Sequence, residues 1–186
     1  MSVHKKNSIS RKLTPQEFCD KYLPANWCEK DLQMYCQRVI KVKRGFGILQ
    51  PPDEVVVPTP NSKRRIDLAT WLTVYECKCW LSYDNIYHAV AQTELYARYG
   101  GKLLGIIPKQ RVVIGVAPPG HQDYQSASRL AKDFSNLKGI KIVFINECPE
   151  WHLNNLHATD SSKILLGVIA FLLLFIIAFI AVALIR

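Results

Sequence analysis

Asp67, Glu76 and Lys78 are the residues of this chain whose types and spacing could do chemistry together. Asp67 ends a basic run, Lys63-Arg64-Arg65, and Glu76-Cys77-Lys78 follows in a strand-like segment. Side chains alternate along a strand, so Val74, Glu76, Lys78 and Trp80 are expected on one face. Tyr75, Cys77, Cys79 and Leu81 form the opposite, mostly apolar, core-facing set. A carboxylate and an ammonium two residues apart, with a second carboxylate from a neighbouring strand, can hold a divalent metal ion and a water.

The flanking segments must place those groups. Thr14-Pro15-Gln16-Glu17 reads as a capping box opening a first helix, which Pro24 interrupts. A second helix is expected from Asn26 to Val42, with Leu32, Tyr35, Cys36 and Val39 on its apolar face. Glu54 to Val57 reads as a strand ended by Pro58 and Pro60. Arg65 to Ala69 and Val74 to Trp80 are then two strands of a tight hairpin, whose turn at Thr70 to Thr73 lacks Gly or Asn. Tyr83 to Tyr99 has helical period, with Ile86, Ala89, Val90, Thr93 and Ala97 on the packed side and Gly100-Gly101 as the stop. Arg111 to Ala117 is a buried strand, Gln122 to Leu137 a helix stopped at Gly139, and Ile140 to Ile145 a last strand. This order predicts an α/β domain over residues 14–150, a mixed sheet flanked by helices, after a flexible basic leader at 1–13.

The chain ends differently. Ile164 to Ile185 is a run of 22 residues without a charge, Asn, Gln, Ser or Thr, bracketed by Lys163 and Arg186. At ~1.5 Å per residue it is long enough to cross a bilayer core as a helix. Residues 163–186 are therefore expected to form a single-pass C-terminal tail anchor, with Ile164, Phe171, Phe175 and Ile185 in the membrane and residues 151–162 as a linker. The basic N-terminal segment, which lacks an apolar stretch, places the soluble domain in the cytoplasm. The six cysteines show no paired metal spacing and are expected as free thiols.

The net charge of +9 is uneven: residues 1–110 hold 17 Lys and Arg against 10 Asp and Glu, whereas residues 111–162 hold five of each. Lys41, Lys43 and Arg44, and Lys63, Arg64 and Arg65, are the densest clusters. They suit a polyanion, either nucleic acid or anionic lipid head groups.

Together, these residues in this order resemble the PD-(D/E)xK nuclease superfamily, with its restriction-endonuclease-like fold, from about Glu29 to Ala117. Asp67 matches the motif aspartate, with Arg65-Ile66 where the motif has proline, and Glu76-Cys77-Lys78 matches the E-x-K element. Gln92 matches a glutamine that several branches carry on the following helix, and Glu29 matches a glutamate on the helix before the sheet. The resemblance implies a Mg²⁺- or Mn²⁺-dependent phosphodiesterase acting on nucleic acid, DNA before RNA. Asp67, Glu76 and the Cys77 carbonyl, with Glu29 as a further candidate, would be the metal ligands. Asp67, Glu76, Lys78 and Gln92 would be the catalytic set, and the two basic clusters the nucleic-acid contacts. A homodimer is left open. The alternative is a catalytically idle nuclease-like domain that binds nucleic acid, anionic lipid or a protein partner at the membrane. In that case Glu76 and Lys78 would be an ordinary cross-strand charge pair.

Overall fold

Thr73–Trp80 is the centre of the molecule because both of its faces are apolar enough to be covered. Val74, Tyr75, Glu76 and Cys77 are all buried. The structure, a computed structural model, describes residues 12–40, 42–44, 47–49, 53–59, 62–70, 73–99, 102–103, 107–148 and 170–174. In chain order these form α1 (Pro15–Tyr22), α2 (Glu29–Val39), β1 (Val42–Arg44), β2 (Gly47–Leu49), β3 (Asp53–Thr59), β4 (Ser62–Ala69), β5 (Thr73–Trp80) and α3 (Tyr83–Tyr99). β6 (Lys102–Leu103), β7 (Ile107–Pro108), β8 (Gln110–Val116), α4 (His121–Lys138), β9 (Ile140–Phe144) and a 3₁₀ turn (Ile145–Glu147) follow.

The main sheet has five strands in the order β3-β4-β5-β8-β9. β3, β4 and β5 run antiparallel in sequence, whereas β8 and β9 add in parallel through α3 and α4. It is the mixed α/β architecture that the element order predicts. Helices α1 and α2 cover one face, where Phe18, Leu32, Tyr35, Cys36 and Ile40 pack on Leu68, Tyr75, Cys77, Val112 and Ile114. Helices α3 and α4 cover the other, where Ile86, Ala89, Val90, Ala127 and Leu130 meet Val113 and Ile140.

Local chemistry fixes the ends of the elements. Thr14 accepts from the Glu17 N–H while the Glu17 carboxylate accepts from the Thr14 N–H, closing the expected capping box. Gly139, at φ 60°, ends α4 in the left-handed conformation that glycine adopts without steric cost. The β4–β5 turn needs no Gly or Asn because the Thr70 hydroxyl accepts from the Thr73 N–H and the Thr70 N–H donates to the Thr73 carbonyl.

Four expectations are corrected. Helix α2 starts at Glu29 and ends at Val39, because Asp31 caps the Cys28 N–H and Val42 pairs with Leu49 in a small hairpin. β3 runs through Pro58 to Thr59; Pro58 stands opposite Lys63 on an edge strand, where a missing N–H is tolerated. Tyr96 is buried on α3 and Ala97 only partly. Trp80 does not share the Glu76 face. The β5–β8 register shifts between Lys78 and Trp80, a bulge at Cys79, so Trp80 turns to the α1–α2 side against Trp27, and Leu81 to the α3–α4 side. Gly115 admits this bulge: a Cβ there would collide with the Lys78 carbonyl and lie 2.7 Å from Leu81 Cγ.

Of the C-terminal apolar run, residues 170–174 are described; they are helical and exposed. Among the described residues no helix is long and apolar enough to cross a membrane. Residues 1–11 of the leader, the linker, Gly100-Gly101, and Ile164, Phe175 and Ile185 lie outside the described residues. The leader's last residue, Leu13, is held and not flexible as expected: its N–H donates to the Asn146 carbonyl, its carbonyl accepts from the Asn146 side-chain amide, and it packs on the α1–α2 core.

Candidate functional site

The site grows out of a break in the sheet. β4 pairs with β5 only at Leu68↔Tyr75 and Ala69↔Val74. On its other edge the β3–β4 ladder skips Glu54 and Asp67, and Glu54 has a φ of 48°, unusual for a side-chain-bearing residue. Backbone groups around Asp67 therefore lose ladder partners, and side chains take their place. Asp67 turns its carboxylate across the gap, and Oδ2 accepts from the Cys77 N–H at 2.6 Å. This bond fixes Asp67 beside the Glu76-Cys77-Lys78 segment, as the motif spacing predicts.

Glu76 points to the α3 side of the sheet and is 1 % exposed. Its Oε1 lies 2.8 Å from Lys78 Nζ. Its Oε2 is buried with no hydrogen-bond partner among the described residues. Such an orphan carboxylate oxygen is costly unless something positive or protic meets it. Burial pushes the Glu76 carboxyl up, the Asp67 charge adds to the effect, and Lys78 opposes it, leaving the pKa at about 7. Burial also raises Asp67, against the Cys77 N–H and Lys78, which lower it. Burial works against the Lys78 charge, but Glu76, with Glu29 and Asp67, outweighs it and raises the ammonium's pKa. Lys78 is the cation that holds the cluster together.

Glu29 opens α2 and reaches Lys78 Nζ at 3.3 Å. One turn on, Gln33 is buried and donates from Nε2 to the Asp67 carbonyl at 2.6 Å. From α3, Tyr96 is buried, lies beside the Glu76 carboxylate and donates its hydroxyl to the Arg65 carbonyl at 2.7 Å. Gln33 and Tyr96 are missing from any reading of motif spacing, because their roles depend on where the strands part. Gln92 is half-buried one turn before Tyr96. The three motif side chains are tied to Cys77, to Glu29 and to one another, with Tyr96 in reach of Glu76, and none of these contacts involves Gln92 among the described residues.

The basic residues divide. Lys63, Arg64 and Arg65 are exposed on β4. Arg65 pairs with Glu54 at 3.0 Å, and Glu54 also pairs with Lys30 at 2.7 Å, so Arg65 belongs to a surface ion network. Lys43 and Arg44 lie on β1, where only the backbone is described, and Lys41 lies outside the described residues. Behind β5, the Cys77 side chain is in the opposite core. The adjacent Cys36 thiol, together with burial, raises its pKa well above the usual thiol range, which makes it an inert packing group.

No family model, curated protein or solved structure matches this chain. The chemistry of the site rests on its own donors. Among the described residues no group of three or more His, Cys, Asp or Glu side chains forms a metal cage. Two carboxylates, one carrying an orphaned oxygen, still fit a hard divalent cation that takes its remaining ligands from backbone, water and substrate. Charge points the same way: the buried Glu76 and the half-buried Asp67 share one lysine and are short of positive charge.

Proposed function

We propose that this chain is a divalent-metal-dependent nuclease of the PD-(D/E)xK type. Its sheet would be the restriction-endonuclease-like one, and the apolar run 164–185 would hold the domain at the cytoplasmic face of a membrane. The observation that carries this reading is the meeting of Asp67, Glu76 and Lys78 where β4 leaves β5, with Glu76 Oε2 buried and unpartnered. A cross-strand charge pair on an open edge would leave Glu76 exposed. Here the acid lies in the central strand, where a carboxylate without function costs stability.

Asp67 and Glu76, with the Cys77 carbonyl, would hold Mg²⁺ or Mn²⁺, which when bound supplies Lewis acidity toward the scissile phosphate and toward water. Asp67 is oriented for this by the Cys77 N–H. Lys78 keeps its proton, because its pKa is raised, and places positive charge where the phosphorane oxygens develop theirs. Glu29 holds the Lys78 ammonium from α2 and stands next to the carboxylates as a further candidate ligand. Lys63 and Arg64 would contact the phosphate backbone and give salt-sensitive, sequence-independent affinity. DNA is the first substrate to test.

The experiment incubates the whole chain in detergent with supercoiled plasmid, single-stranded DNA, branched DNA and RNA, each with Mg²⁺, Mn²⁺ or chelator. Metal-dependent cleavage of one class supports the proposal and names the substrate. Salt-sensitive binding to nucleic acid without cleavage of any of the four supports the idle binding module instead.

A further inference from the structure

Asp67 sits in a stretch of β4 that has lost regular pairing toward both neighbours, since the β3 ladder skips it and the β5 ladder stops at Leu68. The Cys77 N–H holds one oxygen of the carboxylate, but the backbone that carries it needs anchors of its own. Two buried side chains from opposite faces of the sheet supply them. Gln33, on α2, donates to the carbonyl of Asp67 itself. Tyr96, on α3, donates to the carbonyl of Arg65, two residues earlier.

Both anchors are poorly suited to be mere packing. Gln33 is 5 % exposed and Tyr96 2 % exposed, and each has its polar end on a strand carbonyl. The phenol has a single proton. Tyr96 also stands within hydrogen-bonding reach of the Glu76 carboxyl, but its proton is directed to the Arg65 carbonyl, which leaves Glu76 Oε2 without a donor. The helix positions agree. Gln33 is four residues after Glu29, so one face of α2 presents both the Lys78 partner and the Asp67 anchor.

We infer that Gln33 and Tyr96 are positioning residues that pin Asp67 from the two faces of the sheet and so set the geometry of the Asp67–Glu76 carboxylate pair for a divalent cation. This rests on the reading of that pair as a cation site. Outer partners of metal ligands typically govern about 10–100-fold in affinity.

The test is a calorimetric titration of the whole chain in detergent with Mn²⁺ alone. It compares wild type with Gln33→Met and Tyr96→Phe, which keep the approximate shape and remove the group that donates to the strand carbonyl. Thr93→Val is the control: Thr93 is buried one turn before Tyr96, and among the described residues its hydroxyl bonds within α3, to the Val90 carbonyl. The inference predicts Mn²⁺ affinity weakened by about tenfold or more in each of the first two variants and unchanged in the control. Affinities within about twofold of wild type in folded Gln33→Met or Tyr96→Phe would overturn it while leaving the cation site standing. So would an equal loss in Thr93→Val, since that would trace the effect to general loosening of the fold. Wild type that binds no Mn²⁺ would overturn both the cation site and the anchors. The two substitutions lie on different helices, so if one fails to fold the other still decides.

Discussion

Replacing Glu76 by glutamine should make the protein more stable at neutral pH, and the amount follows from the site. The Glu76 pKa rises from an ordinary 4.5 to about 7 in the fold. Between those values the folded chain holds a proton that the unfolded chain has lost, so stability falls as pH rises through that window. A shift of about 2.5 units at 1.36 kcal/mol per unit gives about 3 kcal/mol. Asp67, also raised above its ordinary 3.8, acts with the same sign and starts at lower pH. Lys78, raised as well, contributes stability that persists until pH passes the lysine range, so it does not act in this window. The amide of the Glu76→Gln variant would keep the side-chain shape and an oxygen acceptor for Lys78 but would have no proton to lose. Urea denaturation of the whole chain in detergent, between about pH 4 and pH 8, should show wild type losing about 3 kcal/mol and Glu76→Gln losing clearly less. Mg²⁺ at about 100 times its Kd should return about 2.7 kcal/mol to wild type near pH 8, and little near pH 5 where Glu76 is protonated. Parallel pH curves for the two proteins, with no Mg²⁺ effect on either, would refute the picture of a buried acid awaiting a cation.

Three further outcomes follow from the same contacts. Lys78→Ala removes the cation 2.8 Å from a buried carboxylate and should cost about 3–5 kcal/mol near pH 8 but distinctly less near pH 5, read by the same denaturation series. Gly115→Ala drives a methyl into the Lys78 carbonyl and Leu81 at the Cys79 bulge; a loss of about 1–3 kcal/mol, together with weakened metal binding, is expected in thermal melts and Mn²⁺ titrations. Lys63→Ala combined with Arg64→Ala should lower the slope of log affinity against log salt for duplex DNA by about 0.9 per lost phosphate contact, measured by fluorescence anisotropy, and leave the melting temperature unchanged.

Much of the architecture is legible because it is written in period and punctuation. Tyr83–Tyr99 carries helical spacing throughout, and α4 ends at Gly139 in the conformation that only glycine takes freely. Asp67, Glu76 and Lys78 come together as spacing predicts, because a short hairpin leaves the two strands little choice of register. The misplaced residues share one cause: local irregularity that propensity does not encode. One extra residue at Cys79 exchanges the faces of Trp80 and Leu81. Gln33 and Tyr96 look like a polar and an aromatic residue of two amphipathic helices. Their value comes from carbonyls near Asp67 that a regular ladder would have occupied. Glu29 lies in between: its place on the helix before the sheet could be anticipated, but its hold on Lys78 requires the tertiary packing of α2 on β5.

The central claim is that the Asp67–Glu76–Lys78 cluster hydrolyses phosphodiesters, and Mg²⁺-dependent cleavage of supercoiled plasmid by wild type beside folded Asp67→Asn and Lys78→Ala tests it most directly. The account predicts that each substitution lowers the rate by about a hundredfold or more while binding of plasmid persists. Cleavage that continues at the wild-type rate in both variants, or a wild type that binds plasmid and Mg²⁺ yet cuts nothing, would contradict it.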